Sequence, residues 1–412
     1  MSHSSQLEGV VSVARCDAGK APVTERGESV TKLLISVAVA LLVAGPASAQ
    51  FKMADLGTLP GDADSAARHI NNRGEVFGTS GKHAFLWTAD TGMIDLGTLD
   101  EISSSNQPTA INDRGQVVGV SVNALSQARG FLWTADTGMI DLGTLGGPIS
   151  RLGTIPQGMN NRGEVVGQSN GRAFLWTAQT GMIDLGILGQ IGPTSFSEAS
   201  AINDRGHVVG RSSIAPLGGP VHTFLWTAET GMIDLGTLGG STSGPTAIND
   251  RGDAVGTSST ASGDLHAFVW TAETGMIDLG TLGGSESGAS GITARGQVVG
   301  SSSTSPGTGD FHAFLWTAET GMIDLGTLGG LTSSANALRP INNRGEVTGF
   351  STTASSAHAF IWTDQNGMID LGALGADGSS HAGGINELGQ VVGASSFRID
   401  GSPITHATLW TR

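Results

Sequence analysis

The chain has 412 residues, a formal net charge of −15, no tyrosine and a single cysteine. Residues 1–49 contain four basic and four acidic residues, so the remainder keeps the charge of −15. Since Lys52 and Lys82 are the only lysines after residue 49, the acidic surface argues against nucleic acid and anionic membrane as partners.

Residues 30–50 are the first recognisable element and read VTKLLISVAVALLVAGPASAQ. A lysine, an apolar run of about a dozen residues and a small-x-small stop are typical of a secretory signal peptide, which predicts cleavage near Ala49. A retained anchor is the alternative, although a bilayer span takes about 20 residues. The polar residues 1–29 indicate a misassigned N-terminal extension. Because Cys16 lies in the removed segment, we expect a secreted or periplasmic protein without disulfides.

Residues 50–412 repeat one pattern, which predicts a single domain. Eight tryptophans recur roughly 46 residues apart, and a period of this size with several short strands is typical of a β-propeller. The repeat at 107–145 contains four strand candidates, PTAIN, QVVGVS, GFLWT and MIDLGTL, joined in pairs by the turns NDRG and TADTG. The tryptophans are Trp87, Trp133, Trp176, Trp226, Trp270, Trp316, Trp362 and Trp410.

The two ends of the repeat region complement each other. Residues 51–59 supply a DLG strand without a preceding repeat, and 382–411 end without one. We therefore predict an all-β propeller of eight four-stranded blades, closed by the N-terminal strand pairing with the C-terminal blade. An eight-fold β-solenoid and a ring of seven blades are the alternatives. The other blades are predicted at 66–99, 107–145, 153–188, 197–238, 244–282, 288–328 and 335–374.

The combination of F-L-W-T-A-x-T-G-M-I-D-L-G-T-L-G-G with I-N-x-R-G-x-V-V-G resembles the HAF-repeat family of extracellular repeat proteins. His-Ala-Phe occurs at 83–85, 266–268, 312–314 and 358–360, while other repeats depart from it, for example with Arg129-Gly130-Phe131. The resemblance covers residues 51–412 and implies export. It supplies no catalytic residues.

Each turn arginine is predicted to bond the second hairpin of its own blade, the TADTG-type turn, either through the acid or amide side chain there or through backbone carbonyls. The final repeat has Leu388 at the arginine position and lacks a second hairpin, which suggests that the two features belong together. Pairs of this kind, partly exposed, stabilise by about 0–1 kcal/mol each. The arginines are Arg73, Arg114, Arg162, Arg205, Arg251, Arg295 and Arg344, and the proposed partners are Asp90, Asp136, Gln179, Glu229, Glu273, Glu319 and Gln365.

Two sets of connections should lie on opposite faces of the propeller, and the set that varies in length is where binding residues concentrate. We predict no catalytic residues, no metal and no cofactor, with Asp62 and Asp64 as the remaining candidates for a calcium site. The favoured function is a non-enzymatic, monomeric binding or scaffold protein that recognises a glycan or a cell-surface protein. The alternatives are an exported lyase or hydrolase and a structural matrix protein. The candidate ligand-binding residues are Arg129, Arg151, Arg172, Phe196, Phe311, Phe397 and Arg398.

Overall fold

The computed structural model describes residues 51–99, 103–146, 153–217, 219–307 and 309–412. The predicted signal peptide and the candidate Arg151 therefore lie outside the described residues. Within them the chain forms strands and turns, and no helix there is long and apolar enough to cross a bilayer.

The strands are short and follow the repeat. They are β1 (Lys52–Asp55), β2 (Ser65–Ile70), β3 (Val76–Ser80), β4 (His83–Thr88), β5 (Gly92–Asp95), β6 (Ser103–Ile111), β7 (Val117–Asn123), β8 (Ala128–Thr134), β9 (Gly138–Asp141), β10 (Thr154–Met159), β11 (Val165–Ser169), β12 (Arg172–Thr177), β13 (Gly181–Gly186), β14 (Ser197–Ile202), β15 (Val208–Ser213), β16 (Val221–Thr227), β17 (Gly231–Gly236), β18 (Gly239–Ile248), β19 (Ala254–Thr260), β20 (Leu265–Thr271), β21 (Gly275–Asp278), β22 (Ser287–Ile292), β23 (Val298–Ser303), β24 (Phe311–Thr317), β25 (Gly321–Asp324), β26 (Ser333–Ser334), β27 (Val347–Thr352), β28 (Ala357–Thr363), β29 (Gly367–Asp370), β30 (Ser379–Ile385), β31 (Val391–Ile399) and β32 (Ser402–Thr411).

These strands form eight four-stranded antiparallel blades in the described part of the chain. Six are separate sheets, and the other two, β14 to β17 and β18 to β21, share one sheet through a single parallel bridge between Val221 and Thr242. We number the blades from blade 1 (β2 to β5) to blade 7 (β26 to β29). Blade 8 combines β30, β31 and β32 with β1.

The predicted closure of the ring is confirmed. Strand β1 pairs antiparallel with β32, with Lys52 opposite Thr411 and Asp55 opposite Thr408. Residues from the two ends of the repeat region therefore complete one blade, and the ring is held shut by hydrogen bonds between strands.

The core lies in layers between neighbouring blades. One layer joins Phe77 and Leu86 of blade 1 to Val117, Phe131 and Trp133 of blade 2. The phenylalanine before each Leu-Trp or equivalent pair is fully buried in seven blades of the described chain. Apolar residues of the second and third strands thus supply most of each layer, as the burial of alternating residues in a sheet requires.

The glycine of each second strand permits the inner strand to approach closely. A Cβ at Gly119 would lie 2.4 Å from the Gln107 carbonyl oxygen and 2.7 Å from the Phe131 ring. Next to this contact, the inner strand carries a one-residue bulge, for example between Pro108 and Ala110. The same register shift occurs in the described inner strands of blades 1 to 6 and 8.

The strand order gives the propeller two faces. The turns that join the first strand of a blade to the second, and those that join the third strand to the fourth (the second hairpins), lie on the same face, which we call the turn face. The connections between second and third strands, and between blades, lie on what we call the variable face. The first-to-second turns span residues 71–75, 112–116, 160–164, 203–207, 249–253, 293–297, 342–346 and 386–390.

Candidate functional site

The repeated histidines form one pair per blade with the aspartate of the DLG motif. In blade 5, His266 Nδ1 lies 2.9 Å from Asp278 Oδ2, and Asp278 Oδ1 accepts a hydrogen bond from the Gly280 amide. We call these contacts the rim pairs, because they join the third strand to the outermost one. The other histidine pairs are His83–Asp95, His222–Asp234, His312–Asp324, His358–Asp370 and His406–Asp55.

Arginine replaces the histidine in the two remaining rim pairs. Arg129 Nε donates to Asp141 Oδ2 at 3.0 Å, and Arg172 lies 3.0 Å from Asp184 Oδ2. Both arginines, which the sequence suggested as ligand-binding residues, therefore have an intramolecular partner equivalent to that of the histidines. Their roles in ligand binding stay predictions.

The predicted pairs between turn arginines and second hairpins are wrong. Arg251 lies 2.6 Å from Asp253, two residues further along its own turn, and Arg114 donates to the Arg162 carbonyl oxygen of the next blade. Since the first turn already contains an acid in several blades, the arginine has a partner nearer than the second hairpin. Arg73, Arg162 and Arg344 pair likewise with Glu75, Glu164 and Glu346.

The remaining members of the predicted pairs make no such contact. Within the described residues, no side-chain contact joins Arg205 or Arg295 to a second hairpin, and the hairpin acids are exposed. The geometry shows that these acids do not hold the two hairpins together. The exposed acids are Asp90, Asp136, Glu229, Glu273 and Glu319.

The first asparagine of each turn links its blade to the next one. Asn203 Oδ1 accepts from the Arg205 and His207 amides, and Asn203 Nδ2 donates to the Asn249 carbonyl oxygen at 2.8 Å. We call this ring of side chains the Asn belt. It runs through seven blades of the described chain, at Asn71, Asn112, Asn160, Asn203, Asn249, Asn342 and Asn386.

Blade 6 has a threonine in the belt position. Thr293 Oγ1 accepts from the Arg295 and Gln297 amides at 3.3 and 3.1 Å, which keeps the turn. Its hydroxyl donates no hydrogen bond to blade 7 within the described residues. The belt therefore has a gap at this position, beside the blade that departs most from the repeat.

A second polar residue, in the first half of each inner strand, ties the blade to the one before it. Ser287 Oγ accepts from the Ala267 amide at 2.8 Å and donates to the Gly280 carbonyl oxygen at 2.6 Å. We call these residues the latch residues. They are Ser65, Asn106, Thr154, Ser197, Ser243, Ser287, Ser333 and Ser380.

Blade 7 contains an insertion between its latch and its belt residue. The belt residue follows the latch residue by six positions in the other blades, for example Ser287 and Thr293, but Asn342 follows Ser333 by nine. Both anchors keep their contacts, so the extra chain leaves the blade after the two-residue strand β26. It pairs instead with the inner strand of blade 8, where Leu338 N donates to Gly383 O and Ile385 N to Arg339 O.

This segment, residues 336–341, forms one wall of a cavity of about 590 Å³ that is otherwise lined by the inner strands and turns of the other blades. Four carboxylates line it where the first turns surround it, and neutral polar side chains line the inner strands. A volume of this size falls within the range of small-molecule sites. The carboxylates are Asp113, Asp204, Asp250 and Glu387.

His69 and Arg339 are the distinctive residues of the cavity. Burial, and to a smaller extent the nearby positive charge of Arg339, lower the pKa of His69 to about 3, so the imidazole is neutral at pH 7. The equivalent positions in other repeats are small, including Ala110, Ala201 and Ala247. Arg339 lines the cavity, is exposed, and makes no side-chain hydrogen bond or ion pair with the described residues.

Sequence reasoning missed this cavity because it looked for function in connections of variable length. The signals were present in the aligned repeats: a histidine where other repeats have Ala, Gly or Pro, and a latch-to-belt spacing of nine instead of six. Neither signal has a meaning until the latch and belt contacts are known.

The aromatic candidates lie on the variable face and are half-buried. The Arg211 guanidinium lies 5.8 Å from the Phe196 ring centroid, and the Phe397 ring meets His406 edge-on at 5.2 Å. Phe311 begins β24, and Arg398 donates to the Gly401 carbonyl oxygen at 2.8 Å. The structure does not bring these residues together into one cluster, and their part in binding stays a prediction.

The calcium candidates have other partners. Asp62 accepts a hydrogen bond from the Ser80 hydroxyl, and Asp64 accepts one from the Thr405 amide. In the part of the chain that the structure describes, no three His, Cys, Asp or Glu side chains converge as a metal site would require.

The fold is shared with solved propeller structures at low sequence identity. No family model and no curated protein matches the chain. Dipeptidyl peptidase 4 from Porphyromonas gingivalis is 12% identical, with a TM-score of 0.51 over 82% of this chain and 56% of that one. Virginiamycin B lyase from Staphylococcus aureus in complex with quinupristin is also 12% identical, covering 88% of this chain and 99% of that one, with a TM-score of 0.42.

A third similar structure is TolB from Acinetobacter baumannii, at 14% identity and a TM-score of 0.38, covering 64% of this chain and 63% of that one. Identities this low concern the fold and carry no activity or ligand to this chain. The class that the strand pairing and the similarity to dipeptidyl peptidase 4 define is therefore the β-propeller, here with eight blades in the described residues.

Proposed function

We propose that this chain is an exported, non-enzymatic β-propeller that binds a protein partner through its variable face. The observation that carries the proposal is the placement of exposed aliphatic side chains. Export rests on the signal-like segment 30–50 and on the resemblance to HAF repeats.

Six large aliphatic residues with at least two fifths of their surface exposed lie on connections or strand ends of the variable face. Their exposure ranges from 44% at Leu265 to 81% at Leu217. Two other described aliphatic residues are exposed to this degree: Leu388 on the turn face, and Leu338 in the segment of blade 7 that crosses to blade 8. Because exposed apolar groups gathered on one side of a molecule are typical of interaction surfaces, this face is the favoured docking surface. The six are Leu125, Ile191, Leu217, Leu265, Leu331 and Ile399.

The sector around blades 4 and 5 is the best candidate for the centre of this surface. The connections that carry Ile191 and Leu217 touch, since Thr194 Oγ1 donates to the Pro216 carbonyl oxygen at 3.4 Å. A shallow cavity of about 360 Å³ nearby is lined by Leu265 and Arg211, among others. Arg211 also packs on Phe196 and pairs with Glu198 at 2.6 Å, so a charged group sits beside the apolar ones.

A protein partner fits this surface better than a glycan. Sugars commonly stack on exposed aromatic rings, but the chain has no tyrosine, and in the described ranges no Phe or Trp side chain is exposed. Leucine and isoleucine next to an arginine are instead the groups that a protein interface buries. An enzymatic role would need an acid–base set particular to one place, whereas the rim pairs recur in every blade.

The test compares partner capture by matched variants. The purified chain, carried on beads, is incubated with a cell-envelope extract of the organism that encodes it, and bound proteins are quantified. The test variant combines Leu217→Ser with Leu265→Ser, and the control is Leu388→Ser, which removes from the opposite face a leucine whose exposure lies between those two.

We expect one partner to be enriched by the parent chain and by the control, and lost with the double variant. Equal capture by all three proteins would refute docking on the variable face. Binding to a purified polysaccharide in place of a protein would select the glycan alternative, and turnover of an extract component would select the enzyme.

A further inference from the structure

We propose that the cavity of about 590 Å³ among the inner strands, which we call the axial cavity, binds a small hydroxylated carboxylate, such as a sugar acid, with Arg339 as the group that holds the carboxylate. This site lies among the inner strands and the first turns, so it is separate from the variable face and goes beyond the protein-binding function proposed above. Its test is likewise independent.

The cavity owes its shape to the insertion in blade 7. Ser333 and Asn342 keep the latch and belt contacts of an ordinary repeat, so the three additional residues cannot shift the blade. They cross instead to the inner edge of blade 8, where Arg339 forms a parallel bridge with Gly384. An inserted segment fixed at both ends and along its length is a preorganised wall, and preorganisation reduces the entropy lost on binding.

Arg339 presents an unpaired permanent charge to this space. Its carbonyl oxygen accepts from Ile385 N at 3.1 Å, which fixes the backbone, while its side chain has no partner among the described residues. The guanidinium keeps its charge at any physiological pH and offers a planar fork that matches a carboxylate. Among the described cavity-lining residues it is the one arginine, and no lysine lies there.

The carboxylates around the cavity restrict the charge of the ligand. Asp113 and Glu387 accept hydrogen bonds from the neighbouring Asn72 and Asn343 amides, and Asp204 accepts from Asn161. Within the described ranges, no ion pair joins any of these carboxylates to Arg339. Their negative field opposes any anion, and it opposes a dianion such as a phosphate monoester about twice as strongly as a monocarboxylate, whose single charge one arginine can match.

The rest of the lining suits hydroxyl groups. Thr109, Gln157, Ser200, Thr246 and Asn336 offer neutral hydroxyl and amide groups that can both donate and accept. Thr246 already donates to the Ala289 carbonyl oxygen at 2.8 Å, which leaves its oxygen as an acceptor for a ligand. A ring of such groups with a single cation favours a polyhydroxylated monocarboxylate over an apolar acid.

The test is isothermal titration of the full propeller chain with D-glucuronate, D-galacturonate and D-gluconate, with D-glucose as the neutral control. Arg339→Gln removes the charge and keeps an amide. Arg68→Gln is the matched control, because Arg68 occupies the same position relative to the belt, three residues before Asn71, and is exposed but does not line the cavity. Ser200→Trp fills the cavity from the opposite wall without changing its charge.

We expect at least one of the three acids to bind and glucose to bind at least about tenfold more weakly, as the loss of a charge-assisted contact predicts. Arg339→Gln and Ser200→Trp should each weaken binding by about tenfold or more, while Arg68→Gln changes it by less than about twofold. Thermal melts establish that all variants fold.

Three results would overturn the proposal: no heat from any acid up to about 10 mM, equal losses in Arg339→Gln and Arg68→Gln, or tighter binding of glucose 6-phosphate than of glucuronate. Capture of a protein by the variable face should survive Arg339→Gln. The two proposals can therefore fail separately.

Discussion

Replacing Thr293 by asparagine should close the gap in the Asn belt and stabilise the propeller. The threonine already accepts the two turn amides that asparagine accepts in other blades, at 3.3 and 3.1 Å. What it lacks is the side-chain N–H that would reach the Asn342 carbonyl oxygen of blade 7. The substitution therefore adds one hydrogen bond between blades and leaves the local turn in place.

The magnitude follows from the net value of one hydrogen bond, about 0.5–1.5 kcal/mol. For a folded unit spanning residues 51–412, with an unfolding entropy of about 2 cal/mol/K per residue, a gain of about 1 kcal/mol raises Tm by only about 1–2 °C. Urea denaturation followed by tryptophan fluorescence is the more sensitive assay, because its midpoint moves in proportion to the free energy of unfolding.

The reverse substitutions give a graded series at Asn203. Asn203→Thr should remove the bond to the Asn249 carbonyl oxygen and keep the turn, at a cost of about 0.5–1.5 kcal/mol. Asn203→Ala also leaves the Arg205 and His207 amides without acceptors, so its cost should rise to about 2–4 kcal/mol, since this position is buried. If Thr293→Asn and Asn203→Thr both left the midpoint unchanged, the belt would contribute nothing between blades and the reasoning would be refuted.

Two further predictions concern histidines. His69→Ala should make the free energy of unfolding fall less steeply as the pH is lowered. Below about pH 6.5 the unfolded chain binds a proton at this histidine, whereas the native imidazole, with a pKa of about 3, does not. Native His69 therefore lowers the free energy of unfolding as the pH falls, by about 2 kcal/mol at pH 5. Urea midpoints at pH 7 and pH 5 measure this, and a constant difference between parent and variant would contradict it. For the rim pairs, His266→Arg should leave the free energy of unfolding nearly unchanged, because Arg129 and Arg172 make the same contact with their aspartates. His266→Ala should lower it by about 0–1 kcal/mol. A larger loss of stability with arginine than with alanine would show that the two side chains are not interchangeable.

The architecture could be predicted from the sequence because each repeat contains its own strand and turn signals. The β-propeller, the strand order within each blade and the closure of blade 8 by residues 51–59 are confirmed by the pairing of β1 with β32. These features depend on periodicity and on where the repeat pattern starts and stops, and both can be read without knowing any side-chain position.

Side-chain partners could not be predicted in the same way. The prediction for Arg251 chose Glu273 in the second hairpin, whereas the structure pairs Arg251 with Asp253 in its own turn. Charge complementarity allowed both choices, and only the path of the turn decides between them. The cavity was missed for a related reason: a spacing of nine residues between Ser333 and Asn342 becomes informative only when both are known to be fixed to neighbouring blades.

The repetition itself limits where this fold can acquire a specific site. A rim pair, latch or belt residue has equivalents in other blades, and its groups are occupied by contacts between strands or between blades. An insertion between two such anchors is different, because the ring holds both ends and the extra residues must leave the blade. In blade 7 the extra residues lie at the axis, where the Arg339 side chain makes no hydrogen bond or ion pair with the described residues. There His69 also fills space that other repeats leave to Ala, Gly or Pro. The asymmetry of the axial cavity thus follows from three inserted residues, which place Arg339, the one arginine or lysine among the described cavity-lining residues, beside neutral and acidic groups.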